Sequence, residues 1–274
     1  MTLKIDGTLL LAGAGNMGAA LLAGWLERGL DPARILVQDP APPPPAKALL
    51  DRHGIAAQAT IGALREPPGV IVVAVKPQVM DEVFPPLAKL AGKSTVVLSI
   101  AAGRTIAGFE RHLANGTAMI RSMPNTPAAI GRGITVAVGN AHVTPAQRQA
   151  CDGLLAAVGE VAWVDEEGLL DAVTAVSGSG PAYAFYLAEC LGEAGIAAGL
   201  EPALARKLAR WTVAGAGELM HRSDLGADTL RQNVTSPGGT TFAALQVLMA
   251  EDGLPKLMRE AVAAATKRSR ELAK

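Results

Sequence analysis

The sequence predicts an α/β fold in two parts, a doubly wound sheet in the N-terminal half followed by an all-α half. Three observations carry that prediction. Short apolar, β-branched runs alternate with helical stretches as far as Val164, the pattern of a parallel sheet covered on both faces. From Asp165 onward the strand signals stop and long helical segments take over. Near the N-terminus a glycine-rich turn, Gly13-Ala14-Gly15-Asn16-Met17-Gly18, stands between an apolar run and a helical one.

The chain has 274 residues, enough for two domains of ordinary size, and the change of pattern divides it into residues 1–164 and 165–274. Half of the residues are hydrophobic and the formal charge is zero, so a large core is available and no basic footprint for nucleic acid or an anionic membrane is present. Cys151 and Cys190 sit in apolar helical patterns and read as buried free thiols. His53, His112, His142 and His221 are scattered, without H-x-x-x-H or Cys-x-x-Cys spacing, and suggest no metal site. The stretch from Met1 to Gly7 lacks the layout of a signal peptide, and the apolar runs are interrupted before they reach bilayer length. A soluble, cytoplasmic protein is expected.

The first strand is Thr8 to Ala12, and the helix after the glycine turn runs to about Arg28. A strand, G-x-G-x-x-G and a helix in that order form the dinucleotide fingerprint of a Rossmann domain. Gly13 makes the tight turn, Gly15 lets backbone approach the pyrophosphate, and Gly18 lets helix and strand pack closely. The amides at the helix start, Asn16 and Met17 among them, face the phosphates. The second strand, Ile35 to Gln38, ends at Asp39, 21 positions after Gly18. An acidic residue at about this spacing accepts hydrogen bonds from the adenosine ribose and repels a 2′-phosphate, which favours NADH. The alternative is an exposed aspartate opening the turn before Pro42 to Pro45; Gln38 and backbone groups remain as possible holders of a 2′-phosphate.

Helix then strand recur: Ala46 to His53 closed by Gly54, Val70 to Val75 followed by Lys76-Pro77, and Thr95 to Ile100 followed by Ala101-Ala102-Gly103. Ligands of open α/β sheets bind at the strands' carboxyl ends, so Lys76, Pro77 and Ala102 are expected on the cofactor side. A strand from Thr117 leads into Met123-Pro124-Asn125-Thr126-Pro127, whose prolines hold an extended loop that places Asn125 there too. A strand from Ile134 to Val138, a helix from about Thr144 to Val158 and a strand from Val161 to Val164 complete this half.

In the second half, helices are expected over 168–176, 182–198, 202–220, 228–233, 241–250 and 254–272. The first two meet at Ser177-Gly178-Ser179-Gly180-Pro181, read as a tight joint whose glycines allow a sharp turn or a close approach. Several of these helices are apolar around much of their circumference, more than a bundle of this size can bury; a partner subunit would cover them, so a homodimer is expected. Between helices lies Asn233-Val-Thr-Ser-Pro-Gly-Gly-Thr-Thr241. Its hydroxyls, glycines and following helix start suit a small carboxylate; a plain cap using Thr240 is the simpler alternative.

Residues 171–185 and 233–241, with Gly13 to Gly18, Ala74 to Pro77, Ser99 to Gly103 and Met123 to Pro127 in the same order, closely resemble the pyrroline-5-carboxylate reductases. The resemblance spans nearly the whole chain. It implies reduction of the C=N bond of Δ1-pyrroline-5-carboxylate to L-proline, the last step of proline biosynthesis, with NADPH or NADH. It implies pairing through the helical domain, with a decamer of five dimers in many members. By matched position, Ser236, Gly238, Gly239 and Thr240 hold the substrate carboxylate, and Thr241 meets the ring nitrogen as the catalytic residue. Asn233 lies near the nicotinamide ribose, and Lys76, Ala102 and the Asn125 loop are cofactor-side positions. Ala12 replaces the usual isoleucine, and four consecutive prolines follow Asp39, which leaves the cofactor choice open. The β-hydroxyacid dehydrogenases share this two-part plan but use a lysine in the helical domain; here Lys207, Lys256, Lys267 and Lys274 lie outside any glycine-rich motif.

Overall fold

A computed structural model describes Leu3 and residues 5–273. Met1, Thr2 and Lys4 of the segment inspected for a leader, and Lys274, lie outside the described residues. The described chain falls into two compact units, one ending at Gly178 but reclaiming the residues from Thr266, the other Ser179–Ala265.

The first unit is built on one sheet in the order β3-β2-β1-β4-β5-β6-β7-β8. The strands are β1 (Leu9–Ala12), β2 (Ile35–Gln38), β3 (Ala57–Gln58), β4 (Val70–Val73), β5 (Val96–Ser99), β6 (Ala118–Met123), β7 (Gly133–Gly139) and β8 (Gly159–Trp163). β1 lies between β2 and β4, paired in parallel with both, so the order reverses beside it and a crevice opens at its carboxyl end. β1 and β4 are buried along their whole lengths, which is why they are continuous apolar runs without alternation.

Successive side chains of β1 feed opposite layers. Leu9 and Leu11 pack with Trp25, Leu50 and Leu154, from α1 (Asn16–Glu27), α2 (Pro44–Arg52) and α5 (Pro145–Leu155). Leu10 and Ala12 pack with Phe84 and Phe109, from α3 (Met80–Ala88) and α4 (Ile106–Glu110). The buried Trp25 indole also donates to the Leu154 carbonyl at 2.8 Å, which satisfies its one donor.

β7 departs from the parallel pattern by running antiparallel to β6. Only residues 124–132 separate them, with one 3₁₀ segment, Thr126–Ile130. A parallel return needs a crossover of a dozen or more residues, and the Pro-rich link is too short for one. Pro44 and Pro45 likewise do not end structure here; they occupy the first turn of α2, where their missing N–H groups would have no partner.

The Ser-Gly-Ser-Gly-Pro stretch corrects the expected sharp turn. α6 (Leu169–Val173) continues into a π-helical turn, Thr174–Gly178, and α7 (Gly180–Ala197) begins almost at once. Neither Gly178 nor Gly180 has a positive φ, so the joint is a widened helix. The close approach is real at Gly178, where an added Cβ would lie 2.6 Å from Met123 Cε.

In the second unit, α7 packs on α8 (Pro202–His221). Small residues form the seam: added Cβ atoms would sit 3.6 Å from Arg206 Cα at Gly192 and 3.2 Å from Ala205 Cβ at Gly195. α9 (Ala227–Asn233), α10 (Thr240–Leu248) and the part of α11 (Leu254–Leu272) before Thr266 follow. Large apolar side chains remain exposed on the single chain, with Phe185 at 69% and Trp211 at 68%. No helix among the described residues is long and apolar enough to cross a membrane.

Candidate active site

In the first unit the glycine turn is fitted so closely that its residue types follow from sterics. Gly13 has φ +95, and a Cβ there would lie 2.7 Å from the Ala74 carbonyl oxygen. A Cβ on Gly18 would run into the Gly13 carbonyl oxygen. Gly15, by contrast, faces open space: nothing lies within 4 Å of a Cβ built on it. Gly15 is also the N-cap of α1 and offers no side-chain cap. The first amides of α1, those of Asn16, Met17 and Gly18, therefore have no intrahelical acceptor and point with the helix dipole toward the vacant side of Gly15. Free amides beside a space kept clear of side chains fit a dinucleotide pyrophosphate.

Asp39 closes the other side of this turn. Its Oδ2 accepts from the Ala14 N–H at 2.7 Å and its Oδ1 from the Ala41 N–H at 2.9 Å. The half-buried carboxylate thus holds the glycine turn in place, more than the exposed turn residue of the simpler reading. Spare lone pairs on both oxygens leave it able to accept from a ribose diol.

Lys76 is exposed, just past β4, and opens the 3₁₀ turn Pro77–Val79. Ala102 is exposed past β5; its neighbour Gly103 has φ +71, and a Cβ there would lie 3.2 Å from the Leu272 carbonyl oxygen. Arg104, which the motif reading passed over, ties these two loops together. It donates to the Pro77 carbonyl at 2.7 Å and pairs with Asp81 at 2.6 Å. A basic residue directly after the Ala-Ala-Gly turn was the available signal. Asn125 is half-buried, and its Oδ1 accepts from the Ile134 N–H at 3.0 Å, fastening the β6–β7 link. A second missed group is the buried Arg121, paired with Glu167 at 2.8 Å; the same carboxylate oxygen accepts from the Ile106 N–H.

In the second unit, α9 ends at Asn233 and α10 starts at Thr240. Thr240 is the first helical residue, and the cap is Gly239, which has no side chain to satisfy the helix amides. The simpler reading of Thr240 as the cap is thereby overturned. Gly238 turns the chain with φ +69, and Gly239 N–H donates to the Ser236 carbonyl at 3.0 Å. Ser236 and Thr240 are exposed and Thr241 is half-buried. The result is a helix start with uncapped amides and hydroxyl groups close by in sequence.

Among the described residues no group of His, Cys, Asp and Glu could hold a metal ion. Cys151 is buried, and burial, with a smaller contribution from Asp152, pushes its thiol up to about 12, so it is no nucleophile at neutral pH. Iodoacetamide at pH 8 is expected to leave Cys151 unmodified in the folded chain, as read by peptide mass; labelling before unfolding would contradict its burial. Cys190, expected to be buried, is exposed on the single chain, because α7 turns apolar residues outward all along its length.

Comparison with known proteins agrees with this geometry. Residues 167–272 match a family model described as pyrroline-5-carboxylate reductase dimerisation. Residues 8–103 match one described as NADP oxidoreductase, coenzyme F420-dependent. The pyrroline-5-carboxylate reductase of Pseudomonas aeruginosa is 39% identical over 261 residues, covering 95% of both chains. The chain belongs to the pyrroline-5-carboxylate reductase family. Among solved pyrroline-5-carboxylate reductases, that of Coxiella burnetii superposes with a TM-score of 0.89 at 34% identity, covering 98% of this chain and 99% of that one. The Plasmodium falciparum enzyme, solved with NADP bound, superposes at 0.79 with 26% identity over the whole of both chains. Membership in the pyrroline-5-carboxylate reductase family accounts for the apolar helical surface, since the matched helical segment is that family's dimerisation region.

Proposed function

We infer that the chain is a pyrroline-5-carboxylate reductase, reducing the C=N bond of Δ1-pyrroline-5-carboxylate to give L-proline at the expense of NADPH or NADH. The observation that carries this reading is the uncapped start of α10 within the Ser236–Thr241 loop, in a chain whose first unit holds an open dinucleotide turn. The helical half is a dimerisation region and the functional unit is a homodimer. The nicotinamide, when bound, supplies the hydride.

The rest falls to the chain. The amides at the start of α10, with Gly238, Gly239 and the hydroxyls of Ser236 and Thr240, hold the substrate carboxylate at the positive end of a helix. A protonated cyclic imine is a far better hydride acceptor than a neutral one, so the substrate brings its own proton. No dedicated acid is then needed. The iminium N–H donates to Thr241 Oγ1, which fixes the ring's orientation. Asn233 serves the nicotinamide ribose, and Gly13, Gly15, Asn16, Met17, Gly18, Asp39, Lys76, Pro77, Ala102 and Asn125 form the cofactor side. In this proposal residues 1–164 hold the dinucleotide, and residues 165–274 bind substrate and pair the subunits. The Ser177–Pro181 stretch supports a subunit seam. A decamer of five dimers and a cytoplasmic location complete the reading.

Loss of cofactor absorbance on adding pyrroline-5-carboxylate, against a hydroxyacid control, tests the reaction. Thr241→Ala is expected to lower kcat/KM by about tenfold or more, as one lost hydrogen bond of about 1.4 kcal/mol implies. Thr241→Ser should retain most of the activity, and unchanged kinetics in Thr241→Ala would remove Thr241 from the mechanism.

A further inference from the structure

The residues that follow β2 bear on which dinucleotide the site accepts. In a doubly wound sheet the adenosine ribose lies against the carboxyl end of β2. A 2′-phosphate there needs cations, hydroxyls or free N–H groups in the loop that follows. From Pro40 to Ala46 the sequence is Pro-Ala-Pro-Pro-Pro-Pro-Ala, with no lysine, arginine, serine or threonine. Five of these seven residues are prolines and have no N–H. Ala41 and Ala46 have one each; that of Ala41 is already donated to Asp39 Oδ1 at 2.9 Å, and Ala46 is buried in the first turn of α2. The start of α2 offers little more, because Pro44 and Pro45 fill its first two positions.

Neighbouring polar groups have partners within the chain. Gln38 is 9% exposed, and the Ile61 N–H, donating to its Oε1 at 3.0 Å, holds the side-chain amide against the loop after β3. Lys47, the first cation of α2, is exposed and pairs on the helix surface with Asp51 at 2.7 Å, whose charge offsets its own. Arg34 donates to the carbonyls of Ile5 and Gly7, before the amino end of β1 and away from the crevice. What stands at the carboxyl end of β2 is the carboxylate of Asp39, fixed by the Ala14 and Ala41 amides. It cannot swing aside without giving up its bonds to the Ala14 and Ala41 amides.

We propose that Asp39 and the proline-filled loop after it make this chain selective for NADH over NADPH. The inference rests on the reductase reading above and narrows its cofactor. A ribose diol has donors for a carboxylate held in this way. A 2′-phosphate would place about two negative charges beside it, with no cation and no side-chain donor in the loop.

The test is calorimetric titration of the full chain with NADH and with NADPH, and with 5′-AMP and 2′,5′-ADP as the adenosine-end probes. NADH is expected to bind about tenfold or more tightly than NADPH, and 5′-AMP to exceed 2′,5′-ADP in the same sense. Asp39→Asn keeps an acceptor for the Ala14 N–H and removes the charge, so it should narrow the ratio chiefly by strengthening NADPH. Equal or tighter NADPH binding by the unaltered chain overturns the proposal. A ratio unmoved by Asp39→Asn overturns the part given to Asp39. A chain that prefers NADH but leaves it unoxidised with pyrroline-5-carboxylate refutes the reductase reading while upholding the cofactor selectivity.

Discussion

Gly15→Ala is expected to weaken NADH and NADPH binding by about tenfold or more while leaving the melting temperature nearly unchanged. Nothing lies within 4 Å of a Cβ at this position, and Gly15 has φ −66, which alanine adopts freely. The methyl group would therefore strain nothing in the folded chain and would occupy only the space beside the α1 amides. Gly18→Ala makes the contrast. There the methyl meets the Gly13 carbonyl oxygen, and relief requires α1 to shift from the turn, at about 1–3 kcal/mol in stability for such overpacking. Calorimetric affinities read beside thermal unfolding separate the two. Tight cofactor binding by Gly15→Ala would show that the open face of the turn is not the pyrophosphate cradle.

The second large effect is expected at the apolar surface of the helical unit. Phe185 on α7 and Trp211 on α8 are more than two-thirds exposed on the single chain, in a segment matched to a dimerisation family. Burying a large apolar side chain is worth about 1.5–3 kcal/mol, and a two-fold interface uses each side chain twice. Phe185→Glu is therefore expected to raise the dimer dissociation constant by about two to four orders of magnitude. Trp211→Glu should act in the same direction. Sedimentation velocity across a concentration series reads the change. An unaltered dimer in both variants would place the pairing surface elsewhere on the helices.

Much of this was legible in the residues themselves. Strands β1, β4 and β5 were recognisable because strands buried on both faces leave continuous apolar runs. The glycine spacing likewise announced the dinucleotide turn, since each glycine answers a different local demand. The helical half was visible as helices, and the excess apolar surface of α7 was visible with it. Less legible were features that depend on partners distant in sequence. The antiparallel β7 follows from the length of its link to β6. The clamp of Arg104 across two loops joins groups 23 and 27 residues apart, and Arg121 meets Glu167 across 46.

The same division runs through Asp39. Its type and its spacing from Gly18 are local facts, and they mark it as a candidate for the adenosine ribose. Whether it would stand free or be held was a question for the tertiary structure, because its acceptor Oδ2 is met by Ala14, 25 residues earlier. Composition and periodicity thus determined the sheet, the helices and the positions of the motifs, since these depend on short-range preference and on which face must be buried. Only the folded chain decided which polar groups were already spent on one another, because hydrogen-bond partners are chosen in space. At the end of β2 that choice leaves a fixed negative charge, and the loop after it has neither a cation nor a side-chain donor.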